Sequence, residues 1–183
     1  MTKPTPYILI AALLLFANPS TSEPPLKITG AFGIKLGEVH DPSKIKIEKT
    51  NSNRETNNLS YSIDPPKPSL PFHSYDINIT AKSRRIFSIS ATAFIEKRET
   101  ALQYFNNIGG IIAEFYDKNV EPVYESNGAE LIARQGEKRI ILLLVEIEDG
   151  DRYMLMINYL DNGMAKVNEF EKAKELGINL DSF

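Results

Sequence analysis

The sequence predicts an α+β fold: one antiparallel sheet of about seven to eight strands, in hairpins and a meander, with one long and one short helix packed on it. Three observations predict it. Apolar residues recur at every second position through several short stretches before Glu96, the period of a half-buried strand. Between Glu96 and Lys118 the spacing lengthens to threes and fours, as an amphipathic helix requires. After Pro122 the period of two returns, with turn signals between the runs.

The elements follow in order. Met1 to Pro6 carries a single Lys, and Tyr7 to Ala17 is an uninterrupted apolar run of 11 residues. A helix needs ~20 residues to cross a bilayer, so the run reads as the core of a secretory signal peptide and not as an anchor. Pro19 breaks the helix and Ser20 and Ser22 supply small residues before a cut, so residues 1–22 are expected to be removed and residues 23–183 to form a single domain. Leu26 to Leu36 alternates through Ile28, Phe32 and Ile34 and reads as a strand, with Gly30 and Gly33 marking a bulge or close approach. Ser43 to Lys49 and Asn58 to Asp64 read as short strands with one wet face, and the polar Thr50 to Asn57 reads as the loop between them.

Asp64 to Pro71 holds four prolines in seven positions, which favours extended backbone and excludes a central strand. Tyr75 to Thr80 and Arg85 to Ile95 then alternate about a tight Ala81–Arg84 turn. The long helix places Ala101, Phe105, Ile108, Ile112 and Phe115 on one stripe; Gly109-Gly110 lets it lie close on the sheet or breaks it in two. Ala129 to Gln135, Lys138 to Glu148 and Arg152 to Leu160 form a meander with turns at Gly136-Glu137 and Asp149-Gly150. Ile140 to Val145 is apolar throughout, which predicts a central strand covered on both faces. Met164 to Leu176 reads as the short helix, with Met164, Val167, Phe170 and Ala173 inward and Gly177 as its C-terminal cap.

Composition narrows the function. There are 24 acidic and 21 basic residues, a net charge of −3. Cleavage after Ser22 removes one Lys and leaves 20 basic against 24 acidic side chains. With no basic excess to displace counterions, nucleic acid is a poor partner. The chain has no Cys, so it forms no disulfide and takes no lipid at a cleavage-site thiol, and an exported fold must rest on its apolar core. That suits a bacterial periplasm.

No chemical motif stands out. His40 and His73 are the two histidines, too few and too far apart in sequence for a zinc site. Glu146, Glu148, Asp149 and Asp151 lack the spacing of a calcium loop. Gly30 to Gly37 matches no phosphate-binding pattern, and no Ser lies in a nucleophile motif. The sequence therefore assigns no catalytic, cofactor-binding or metal residue, and no cofactor. The candidate partner contacts are Tyr61, Phe72 and Tyr75 around the proline-rich stretch, because rings on a rigid loop bury large area at small entropy cost. The alternative for these rings is packing under the sheet.

Gly30-Ala-Phe-Gly-Ile-Lys-Leu-Gly37, Pro68 to Phe72, the Tyr75 to Ile79 alternation, the Arg85 to Ala91 strand and a helix ending in Phe-Tyr-Asp together resemble uncharacterised small exported bacterial proteins with an N-terminal Phe-Gly-x-x-Leu-Gly motif. The resemblance covers residues 28–118. It implies a bacterial, exported setting and no activity.

By elimination, the expectation is a non-enzymatic periplasmic or secreted protein that binds another protein or a peptide, for example as an inhibitor or immunity factor. No permanent membrane anchor remains after cleavage. Two alternatives stay open: a small envelope hydrolase with a carboxylate pair, for which the absence of Trp removes one sugar-stacking residue, and a carrier of a small apolar ligand.

Overall fold

A computed structural model describes residues 24–53, 58–147 and 152–175. The expected signal peptide, the Asp149-Gly150 turn and Gly177 lie outside the described residues. Among these residues, ten strands and two helices run in the order β1 (Gly30–Ala31), β2 (Ile34–Lys35), β3 (Lys46–Asn53), β4 (Asn58–Asp64), β5 (Ser74–Ile79), β6 (Ile86–Ile95), α1 (Arg98–Phe115), β7 (Val123–Glu125), β8 (Gly128–Gln135), β9 (Lys138–Ile147), β10 (Arg152–Asp161) and α2 (Asn162–Glu175). Strands β3 to β10 make one sheet in the spatial order 3-4-5-6-10-9-8-7, every neighbouring pair antiparallel, and β1 pairs with β2. The α+β class holds, with the sheet dominant.

One sheet face is the core. Ile77, Ile89, Leu142 and Leu155 are fully buried on it. Helix α1 packs on β9, β10, β8 and β6, burying Ala101, Phe105 and Ile112 of its apolar stripe. It is continuous through Gly109-Gly110: a Cβ on Gly109 would lie 3.2 Å from Leu131 Cδ1, whereas Gly110 faces open space. The other half of this face is roofed by the β1–β2 hairpin and the proline-rich loop. Phe32 stands edge-on to Phe72, Tyr75 and Tyr159, with ring centroids 6.0, 5.1 and 6.2 Å away.

Several expectations change. Leu26 to Leu36 is not one strand, because Phe32 and Gly33 both take positive φ (54° and 81°) and fold it into a hairpin; a side chain on Gly30 would strike the Ile34 carbonyl. Strand β3 starts at Lys46 and runs on through the polar Thr50–Asn53, paired with β4. An edge ladder is made by backbone groups and does not need apolar side chains there. Strand β7 has no alternating signature and was not anticipated; it forms because Val123–Glu125 folds back on Gly128–Glu130.

The two remaining corrections concern coverage. In β9, Ile140, Leu142 and Leu144 are buried, but Ile141, Leu143 and Val145 on the opposite face are only half-buried, because α1 covers one face. In α2 the most buried side chain is Asn168, 2% exposed, while Phe170 is 51% exposed. The reason is what α2 docks on. The Ala81–Ser83 turn presents backbone amides, and Asn168 Oδ1 accepts Ala81 N–H (2.9 Å) while Glu171 accepts those of Lys82 (2.6 Å) and Ser83 (3.1 Å). Asp161 starts this helix by accepting Met164 N–H at 3.0 Å.

Candidate functional site

Among the described residues, the second face of the sheet carries apolar surface that no layer covers. Register sets its rows. Gly128, Val145, Met154 and Phe94 lie side by side, then Glu130, Leu143, Met156 and Thr92, then Ile132, Ile141, Asn158 and Ser90. Toward β4 and β5 the rows turn polar, through Asp76, Asn78 and Ser62. Apolar surface therefore concentrates on β8 to β10, where Ile132, Ile141, Leu143, Val145, Met154 and Met156 are half-buried and Phe94 is 51% exposed. His73 lies beside Phe94, rings 5.7 Å apart. Helix α2 contacts β6, β9 and β10 only toward the end where Ser88 is buried and Arg139 Nη2 donates to Asn162 Oδ1 at 2.8 Å. The border of the patch is mixed in charge: Arg134, Arg139 and Arg152 stand on this face together with Glu125, Glu130 and Asp76.

A second feature opens on the α1 side. Arg98, Leu102 and Asn106 fall on successive turns along one flank of α1 and face the β7–β8 turn across a cleft of about 300 Å³ floored by Leu144, Glu146 and Tyr153. Its wall is braced. Tyr124 Oη donates to Asn106 Oδ1 at 2.8 Å and its ring meets Phe105 edge-on at 6.1 Å. Glu146 N–H donates to the Asn127 carbonyl at 2.8 Å, which anchors the turn.

The sequence-derived contacts lie elsewhere. Tyr61, Phe72 and Tyr75 are 7, 8 and 6% exposed and belong to the core cluster, so the packed alternative is the one the structure has, and these rings offer no face to a partner. Tyr75 Oη accepts Ser69 N–H (2.9 Å) and shares its proton between the carbonyls of Ser69 (3.0 Å) and Phe72 (3.2 Å). Arg84 stacks over Tyr61, 5.6 Å from the ring centre. The proline loop therefore serves as a roof to the core. His40 is buried, its Nε2 donating to the Ile45 carbonyl at 3.0 Å, and His73 is exposed. Among the described residues, no three His, Cys, Asp or Glu side chains gather as metal ligands, and no helix is long and apolar enough to cross a membrane.

Among the described residues, three acidic or phenolic groups are displaced from their ordinary behaviour. Burial, with Tyr116 nearby, pushes the Tyr159 hydroxyl up. Partial desolvation pushes the Glu171 carboxyl up, but hydrogen bonds from Ser83 and Lys82 outweigh it and hold the group below its ordinary value. Asp41 is lowered by the hydroxyl and amide of Ser43. All three lie away from the apolar patch and the cleft lining.

Comparison of the chain with protein-family models, with curated proteins and with solved structures finds no match. The signal for the open face was present in the sequence, since IILLLV and YMLMI are apolar at both parities, but it reads equally as a strand covered twice. The cleft had no sequence signal, because its lining comes from α1, β7, β8, β9 and β10.

Proposed function

We propose that this chain is an exported, non-enzymatic binding protein that docks the open face of β8–β10 onto another protein, as an inhibitor or immunity factor would. The observation that carries the reading is the aliphatic and Met-rich patch, edged by Arg134, Arg139 and Arg152 and by Glu125 and Glu130. Interfaces are depleted of charge at their centre and enriched in Met and Arg, and contiguous exposed apolar area of this kind marks association sites. The arginines of this border pair with Asp or Glu at the edge of the partner's own apolar surface. Export rests on the sequence of residues 1–22.

The test places a photoreactive residue in the patch by the substitution Met156→benzoylphenylalanine, with Gln103→benzoylphenylalanine on the exposed flank of α1 as control, in the cells that make the protein. The expected result is one heterologous adduct specific to position 156, mapped to an acid-bordered surface of its partner and lost when Leu143→Asp is added. An adduct with a second copy of the chain, a cross-link to residues 176–183, or no adduct would each overturn the reading.

A further inference from the structure

The α1 cleft holds three groups, on Arg98, Glu146 and Tyr153, whose side chains make no hydrogen bond or ion pair among the described residues. Tyr153 is 7% exposed, and among the described residues its hydroxyl has no hydrogen-bond partner, yet it is not among the side-chain atoms sealed from solvent. Tyr153 is one of the residues that line the cleft. Directly across the ladder, in register with it, stands Glu146 on the same face. Glu146 is half-buried and its carboxylate has neither an ion pair nor a hydrogen bond among the described residues. Arg98 lines the opposite wall, and it too is unpaired among the described residues.

The cleft is lined by one cation, Arg98, and two carboxylates, the half-buried Glu146 and the exposed Glu125 at its mouth; Arg98 and Glu146 do not pair with each other, and a ligand carrying both charges at its two ends matches them. The apolar sides of Leu102 and Leu144 lower the local polarity between them, which strengthens charge-assisted hydrogen bonds. A volume of about 300 Å³ lies at the lower end of small-molecule sites. We infer that the cleft binds a small zwitterion of amino-acid to dipeptide size. Its carboxylate meets the Arg98 guanidinium, its ammonium meets Glu146, the Tyr153 hydroxyl supplies a further hydrogen bond, and an aliphatic side chain rests on Leu102 and Leu144. The site lies on the opposite side of the sheet from the docking patch and stands independently of it.

The test is a titration of the ¹⁵N-labelled protein with glycyl-leucine, N-acetyl-glycyl-leucine and glycyl-leucinamide. Glycyl-leucine is expected to give saturable shifts at the amides of Asn127 and Tyr153. Acetylation and amidation should each weaken binding roughly tenfold or more, the scale of one lost charge-assisted hydrogen bond. In Arg98→Ala the free and amidated ligands should bind alike; in Glu146→Gln the free and acetylated ligands should; Tyr153→Phe should weaken all three while keeping both distinctions. Equal binding of the three ligands to the unaltered protein, shifts confined to another surface, or no shift at the highest soluble concentration would overturn the inference. Changing the ligand reads the same two contacts without any substitution, so a variant that fails to fold leaves the test intact.

Discussion

Gln135 uses every polar atom of its side chain to fasten the first described residues to the sheet. Its Oε1 accepts Ile28 N–H at 2.9 Å, and its Nε2 donates to the carbonyls of Leu26 (2.7 Å) and Tyr116 (2.9 Å). Gln135→Glu keeps the shape and removes both donors, so urea unfolding should show a loss of about 1–3 kcal/mol. Tyr75→Phe removes the hydroxyl that organises Ser69 and Phe72 and should cost about 1 kcal/mol while leaving the ring packing intact. Glu171 gives a pH signature. Its folded-state carboxyl lies below the ordinary value of 4.5, so its contribution to stability is complete above that value and is lost as the pH falls through the lowered folded value. The stability difference between the unaltered protein and Glu171→Gln should therefore shrink on acidification below pH 4.5. A difference constant from neutral pH to pH 3 would show that its bonds to Lys82 and Ser83 do not hold the turn. None of these roles was legible in the residues alone, since Gln, Tyr and Glu at a strand end, a strand and a helix read as ordinary surface or core. Gln135 and Glu171 depend on backbone groups brought in from far along the chain, and Tyr75 on how the proline loop folds three to six residues before it.

At the scale of elements, local pattern was a good guide where a helix or strand has one apolar face and a poor one where it has two or none. Helix α1 was legible because its period is unambiguous, and the positions of β8, β9 and β10 because Gly136 and Gly150 mark the turns between them, although the coverage of β9 and β10 was not. The paired glycines of α1 could be read either way, and packing separates them. Gly110 faces solvent, so Gly110→Ala should stabilise the protein by about 1 kcal/mol through helix propensity. Gly109→Ala gains the same propensity but drives a methyl toward Leu131 at 3.2 Å, so its net effect should be near zero or unfavourable. Equal thermal shifts for the two would mean that α1 stands off the sheet. Helix α2 misled because Phe170 and Val167 suggest an inward apolar stripe, whereas unsatisfied amides of the Ala81–Ser83 turn draw in Asn168 and Glu171.

For the molecule as a whole, the decisive contact is the β6–β10 seam, which joins a strand before α1 to one more than fifty residues later and pairs Ile95 with Tyr153 through to Ser88 with Leu160. It unites the N-terminal hairpins and the C-terminal meander into one sheet with two unequal faces. One face receives α1, the β1–β2 hairpin and the proline loop; the other keeps its apolar patch and mixed-charge border. If the arginines of that border steer an acidic partner, association measured by surface plasmon resonance should slow markedly as salt is raised from 0.05 to about 0.5 M, because the Debye length shrinks well below 10 Å, with dissociation changing less. An on-rate indifferent to salt would remove these arginines from the docking account. The sequence by itself determined the α+β class, most strand and helix positions and the reliance on apolar burial without disulfides, because these follow from periodicity and composition within short windows. Tertiary structure alone decided which apolar face is left open, which rings are roof and which are surface, and that Arg98, Glu146 and Tyr153 share one cleft. Those outcomes depend on pairings between distant segments, and burial is a property of what arrives from elsewhere in the chain.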